Sequence, residues 1–187
     1  MEYFEIFDLP PKLNLDLNLL QQRFHELSRE HHPDYHRTLP AAEQERALRT
    51  TALLNDAYRT LRDSSSRVEY LIESNGFVID GSKVPKALLA EVFEINEELE
   101  QVRLTRKNAS ADESVLQNLE QFRKMIARRR QAYEEELSGA THKWDELVDS
   151  LASDEARREH LSALADIVAQ SAYLRNLERE IENEVAG

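Results

Sequence analysis

The residues best suited to chemistry cluster early in the chain. His31, His32, Pro33, Asp34 and His36 lie within six positions, and His25 precedes them by about two helical turns. Imidazoles and a carboxylate this close could in principle ligate a metal. The spacing argues otherwise. Pro33 restrains the loop, His31 falls on an apolar helix face, and neither His-Glu-x-x-His nor Glu-x-x-His occurs anywhere. The chain has no cysteine, so it has no thiolate for zinc or an iron–sulfur cluster, no cysteine nucleophile and no disulfide. There is no Gly-x-Ser-x-Gly elbow and no glycine-rich phosphate loop. We therefore expect no catalytic residue, no bound metal and no cofactor. A helical metal-binding protein is kept as a distant alternative.

What remains for His32-Pro33-Asp34 is recognition. Proline stiffens the loop and reduces the entropy lost on docking. A ring donor and a carboxylate are then held at set positions. The bland alternative is a helix-ending His-Pro turn with Asp34 bonded to nearby backbone. Context favours docking, because the tripeptide separates two amphipathic helices and a short apolar segment precedes the first.

The positioning elements read as helices throughout. Tyr3, Phe4, Ile6, Phe7 and Leu9 form a short apolar cluster closed by Pro10-Pro11. Asp16 caps a helix over about 17–31 whose face is Leu20, Phe24, Leu27 and His31. His32-Pro33 ends it. A third helix covers about 41–62 through Leu48, Thr51, Leu54, Tyr58 and Leu61. A short one follows Asp63-Ser64-Ser65-Ser66 and stops at Asn75-Gly76. Residues 75–85 read as a linker. Long glutamate-rich helices come next, over about 85–107, then from a Ser110-x-x-Glu113 capping box through Trp144 and Leu147, then from Ser153-Asp154-Glu155 to the end. Ser138-Gly139 is expected to break or bend the second. Short connections make the three an antiparallel bundle.

The first bundle helix carries Leu88, Leu89, Val92, Phe93, Ile95 and Leu99, more than the roughly three apolar positions per two turns that a bundle consumes. One reading is core plus a solvated charged face. The other is an exposed apolar patch around Leu89 and Phe93, rimmed by Glu94 and Glu97 and suited to a protein partner. Arg123, Lys124, Arg128, Arg129 and Arg130 are expected to pair with the acidic neighbouring helix in preference to binding nucleic acid.

Composition agrees. Four glycines and five prolines among 187 residues leave few turns, and 41% apolar content supports a packed core. The net charge of −12 argues against duplex binding, which relies on Lys and Arg. Residues 1–74 hold 9 basic and 13 acidic side chains, and residues 75–187 hold 15 and 23. No run of side chains is long and apolar enough to span a membrane. The acidic start, Met1-Glu2-Tyr3-Phe4-Glu5, is unlike a signal or transit peptide, so a bacterial cytoplasmic protein is expected.

Residues 3–74 resemble a J domain through His32-Pro33-Asp34, the preceding Arg23-Phe24-His25-Glu26-Leu27-Ser28-Arg29-Glu30-His31 and the following Asn55-Asp56-Ala57-Tyr58-Arg59-Thr60-Leu61-Arg62. The whole chain resembles the HscB family of J-protein co-chaperones of iron–sulfur cluster assembly. That match is carried by Tyr3-Phe4-Glu5-Ile6-Phe7-Asp8-Leu9-Pro10, by Arg67-Val68-Glu69-Tyr70-Leu71-Ile72 with Asn75-Gly76-Phe77, and by Leu89 to Glu100. The resemblance implies an all-α, L-shaped molecule: a J domain (1–74), a linker (75–85) and a three-helix scaffold-binding bundle (86–187). It implies a non-enzymatic co-chaperone that stimulates a DnaK/HscA-type ATPase and presents to it an IscU-type scaffold; a J protein with a different client is the alternative. His32, Pro33, Asp34, Arg23 and Arg29 would face the chaperone. Leu89, Ala90, Phe93, Glu94, Glu97 and Tyr173 would face the scaffold. Glu26 and Glu30 offset the two arginines, which departs from the more basic helix usual in J domains. Ala90 and Gln101 stand where larger or acidic residues are usual.

Overall fold

The computed structural model describes residues 2–32, 40–82, 84, 88–107 and 113–186. Among these residues it is helical, without strands: α1 (Glu2–Ile6), α2 (Leu17–Glu30), α3 (Ala41–Arg62), α4 (Ser64–Ser74), α5 (Leu89–Lys107), α6 (Glu113–Asp149) and α7 (Asp154–Ala186). The chain forms two compact units. One is Met1–Val78 with Thr141–Ser162, and the other is Ile79–Ala140 with Ala163–Gly187. The long helices α6 and α7 thus contribute to both.

In the first unit α3 packs against α1, α2 and α4. Asp16 caps α2, its carboxylate accepting from the N–H groups of Asn18 (2.9 Å) and Leu19 (3.2 Å). Phe24 stacks on Tyr58 at 4.2 Å, and the Thr51 hydroxyl donates to the His31 carbonyl at 3.0 Å. These contacts run in opposite chain directions, so α2 and α3 form an antiparallel hairpin. The inward face of α3 differs from the expected one. Leu48 is exposed and Ala47 is buried in its place. Ala47, Thr51, Leu54, Tyr58 and Leu61 step by 4, 3, 4 and 3, which follows one helix face more closely than a stripe beginning at Leu48. Phe4, Phe7, Leu9, Leu13 and Leu20 complete this core with Leu71 and Ile72. Burial of each large side chain removes about 1.5–3 kcal/mol worth of apolar surface from water.

Two polar devices hold this unit. Arg67 is only 4% exposed. Its guanidinium donates to the carbonyls of Leu61 (2.6 Å), Leu13 and Arg62 (3.3 Å), so a buried cation is hydrogen-bonded on several sides. Burial pushes its pKa below the ordinary value, opposed by the charges of Asp63 and Asp145. The second device joins the Pro11–Asn14 segment to the end of α6. Trp144 donates its indole N–H to the Pro11 carbonyl at 2.7 Å. The Asp145 carboxylate accepts from the backbone N–H groups of Leu13 (2.7 Å) and Asn14 (3.0 Å) and from the Asn14 amide (2.8 Å).

The second unit is built around Leu88, Val92, Ile95, Leu99, Ile126, Leu174, Leu177 and Ile181, with Phe122, Met125, Tyr133 and Tyr173 packed against them. Arg130 meets Glu178, and Tyr133 donates to Gln170, which sets α6 antiparallel to α7. The expected break at Ser138-Gly139 does not occur; α6 runs through both residues. A mid-helix glycine costs about 1 kcal/mol, and the good helix formers of Glu134–Leu137 and Ala140 around it absorb that cost. The helix stops instead beyond Asp149. There Leu151 takes a left-handed φ of 52° and Ala152 N–H reaches the Leu147 carbonyl at 3.0 Å. Gly81 has a packing role, because a Cβ there would lie 2.8 Å from the Cβ of Ala172 on α7.

Candidate functional site

The expected chaperone-facing residues begin at the end of α2. His31 caps the helix, its N–H bonded to the Leu27 carbonyl at 2.9 Å. His32 follows as an exposed residue. Pro33 and Asp34, with the rest of the loop to Leu39, lie outside the described residues. Leu20 is buried, and Phe24, Leu27 and His31 are half-buried, so the predicted apolar stripe faces inward. At about 100° per residue, Arg23 flanks that stripe and Arg29 sits roughly opposite it. The two arginines therefore do not share one face. Arg29 is exposed. Arg23 lies 3.6 Å from Asp8 and 3.8 Å from Glu26, so its expected offset by Glu26 is present at the long end of ion-pair distances.

The expected scaffold-facing residues lie on α5, except Tyr173. Leu88, Val92, Ile95 and Leu99 are buried, while Leu89 and Phe93 are 55% and 63% exposed. The apolar residues of α5 thus lie on two sides, one consumed by the bundle and one left outside. Ala90, Glu94 and Glu97 are exposed beside Leu89 and Phe93. Tyr173 is half-buried against the core, and that burial, followed by Glu180, raises its phenol above the ordinary pKa. The expectation missed Leu104, which is 53% exposed. Leu89, Phe93, Glu97, Glu100 and Leu104 step by 4, 4, 3 and 4, within one arc of about 80°. That spacing could have found Leu104. An apolar row edged by carboxylates can desolvate against a partner's apolar surface while the charges select a basic rim.

The basic stretch on α6 is expected to pair with an acidic neighbouring helix, and the described pairs are partly that and partly within α6 itself. Arg123 and Lys124 meet Glu120 on the same helix at 3.2 and 3.8 Å, and Arg130 meets Glu178 of α7 at 2.6 Å. Residues three and four apart are neighbours on a helix, which makes the local pairs easy to form. Among the described residues, no group of three or more His, Asp or Glu side chains is gathered to hold a metal ion. No described helix is long and apolar enough to cross a membrane.

No protein-family model matches the chain. Solved structures do. The chaperone HscB from Vibrio cholerae is 29% identical, with a TM-score of 0.56 over 98% of this chain and 96% of its own. The human co-chaperone HscB is 22% identical, with a TM-score of 0.60 over 98% of this chain and 81% of its own. The second shares the fold. The first also carries sequence likeness from end to end.

Proposed function

We propose that this chain, whose likeness to HscB chaperones runs over nearly its whole length and supports its place in that family, is a J-domain co-chaperone of iron–sulfur cluster assembly. Its His32-Pro33-Asp34 loop would dock on a DnaK/HscA-type chaperone, and its α5 face would bind an IscU-type scaffold. The chain itself would perform no chemistry. Docking of the loop would favour the hydrolysis-competent state of the chaperone, and its stimulation is the coupling free energy between the two. Binding both partners at once raises the local concentration of the client at the chaperone. The observation that carries this reading is the exposed Leu89–Phe93 row on a helix whose other apolar side is already buried.

The test is Asp34→Asn, assayed by steady-state ATP hydrolysis of a DnaK-type chaperone. Stimulation should be abolished while helical circular dichroism and melting temperature stay at wild-type values. Full stimulation by the folded variant overturns the J-domain assignment. A wild-type pull-down that recovers a client other than an iron–sulfur scaffold keeps the J-domain reading and replaces the client.

A further inference from the structure

The first unit holds a cleft of about 180 Å³ remote from both proposed docking surfaces in sequence. Its walls include Phe77 from the segment after α4, Trp144 from α6 and Leu161 from α7, with Arg157, Arg158 and Asp154 from the first turns of α7. Trp144 and Leu161 are each 2% exposed, so two walls are rigid parts of the core. Arg158 lies over the Phe77 ring with its guanidinium carbon 5.4 Å from the centroid.

Arg157 is the unusual member. It is half-buried, its Nε is buried, and that N–H has no hydrogen-bond partner among the described residues. Leaving a buried donor unpaired costs free energy, and more so on a charged group. The first turn of α7 is capped by Ser153. Ala156 N–H already bonds the Ser153 hydroxyl at 3.3 Å, and Arg157 N–H bonds the Ser153 carbonyl at 3.1 Å. The arginine therefore brings a half-buried guanidinium, whose Nε has no acceptor among the described residues, to the aromatic-walled cleft.

We propose that this cleft binds a monocarboxylate carried on a short apolar or aromatic stem. The planar edge of a guanidinium matches the two oxygens of a carboxylate. Phe77, Trp144 and Leu161 offer the stem an apolar slot. Asp154 selects on charge, since its own carboxylate repels a phosphate dianion more than a singly charged acid. The small volume, below the roughly 300–1,000 Å³ usual for small-ligand sites, limits the stem to about the size of one aromatic ring. The inference rests on no part of the co-chaperone reading, so either can fail alone.

Trp144 is the only tryptophan in the chain, so its fluorescence reports this cleft directly. The full chain is titrated with phenylacetate, with phenylacetamide as its neutral counterpart and with inorganic phosphate. Phenylacetate should change Trp144 emission saturably, with a Kd of about 1 mM. The amide and phosphate should bind at least about tenfold more weakly. Arg157→Lys retains the charge but removes the planar guanidinium edge, and should weaken phenylacetate about tenfold. Arg158→Gln should weaken it less. Both variants must melt as the wild type does, and Arg157→Gln replaces Arg157→Lys if the latter does not. A flat titration to about 20 mM overturns the proposal. So does equal binding of acid and amide, or a folded Arg157 variant that binds as the wild type does.

Discussion

Helices α2 and α5 are both expected to meet a partner, yet they prepare for it in opposite ways. Helix α2 turns Leu20, Phe24 and Leu27 inward, leaves Leu17 and Leu19 exposed in its first turn, and carries charge on the rest of its outer side, with the exposed His32 beyond its end. Helix α5 buries Val92, Ile95 and Leu99, with Leu88 just before it, and still leaves Leu89, Phe93 and Leu104 more than half exposed. An α2-type surface gains affinity from oriented charge, and the offset of its arginines by Glu26 and Glu30 leaves that docking less dependent on salt than a uniformly basic helix would be. An α5-type surface gains affinity from apolar area removed from water and is far less sensitive to salt. What sets α5 apart is a row of exposed apolar side chains along one face, Leu89, Phe93 and Leu104, where the exposed leucines of α2 are confined to its first turn.

The largest effect expected follows from that contrast. Leu89→Ala with Phe93→Ala should weaken scaffold binding about 100-fold or more, because each anchor contributes roughly 1.5–3 kcal/mol when buried. Calorimetric titration of the scaffold at low and high salt measures it. The loss should be similar at both salt concentrations, and the melting temperature should stay within a few degrees, since neither side chain is in the core. A large drop in melting temperature would place both residues in the core and remove the distinction between α2 and α5.

Much of this was legible in the residues. The cap Asp16 announces α2 and forms as read, while the break at Asp63-Ser64-Ser65-Ser66 announces α4, which starts earlier than expected, at Ser64 with Asp63 as its cap. The surplus of apolar positions on α5 announced an exposed row, and Leu89 with Phe93 supplies it. Other features were not legible for physical reasons. Leu48 is the larger and more apolar neighbour of Ala47, but helix phase, not hydrophobicity, decides which faces inward. Ser138-Gly139 looks like a stop, but a single glycine cannot end a helix whose neighbours favour continuing it. Periodicity also carries no information on long-range polar contacts, so the bonds from Trp144 and Asp145 to residues 11–14 had no signal in advance.

The two units differ in a second way that can be broken by mutation. The core of the second is apolar, whereas the first also depends on a buried cation and on a carboxylate holding backbone N–H groups. Arg67→Met should destabilise the first unit by about 3 kcal/mol, since three carbonyls lose their donor while the methionine fills only part of the volume. Urea denaturation followed by circular dichroism measures this, and an unchanged midpoint would show that the carbonyls find other donors. Asp145→Ala should cost about 2 kcal/mol, because two backbone N–H groups and the Asn14 amide lose one shared acceptor. Because Asn14 is exposed, water replaces part of that loss and keeps the effect below that of Arg67.

Asp63 should give the smallest effect, and pH separates it from the others. Its carboxylate accepts from Ser66 N–H at 2.8 Å and caps α4. The Ser66 backbone bond is the main cause holding the acid below its ordinary value of 3.8, with the Ser66 side chain next and Arg67 a minor contributor. A carboxyl with a lowered folded pKa stabilises the fold fully above its unfolded value, and loses that contribution as pH falls through the folded one. Asp63→Ala should therefore cost about 1 kcal/mol at neutral pH, the usual worth of an N-cap, with little allowance for charge because the residue is exposed. The gap between variant and wild type should shrink steadily below pH 3.8. Arg67→Met should show no such convergence, since the guanidinium stays protonated throughout that range. If the two variants instead converge on wild type together in acid, then the loss of stability on acidification comes from one shared network around Arg67, and the cap and the buried cation are not separate devices.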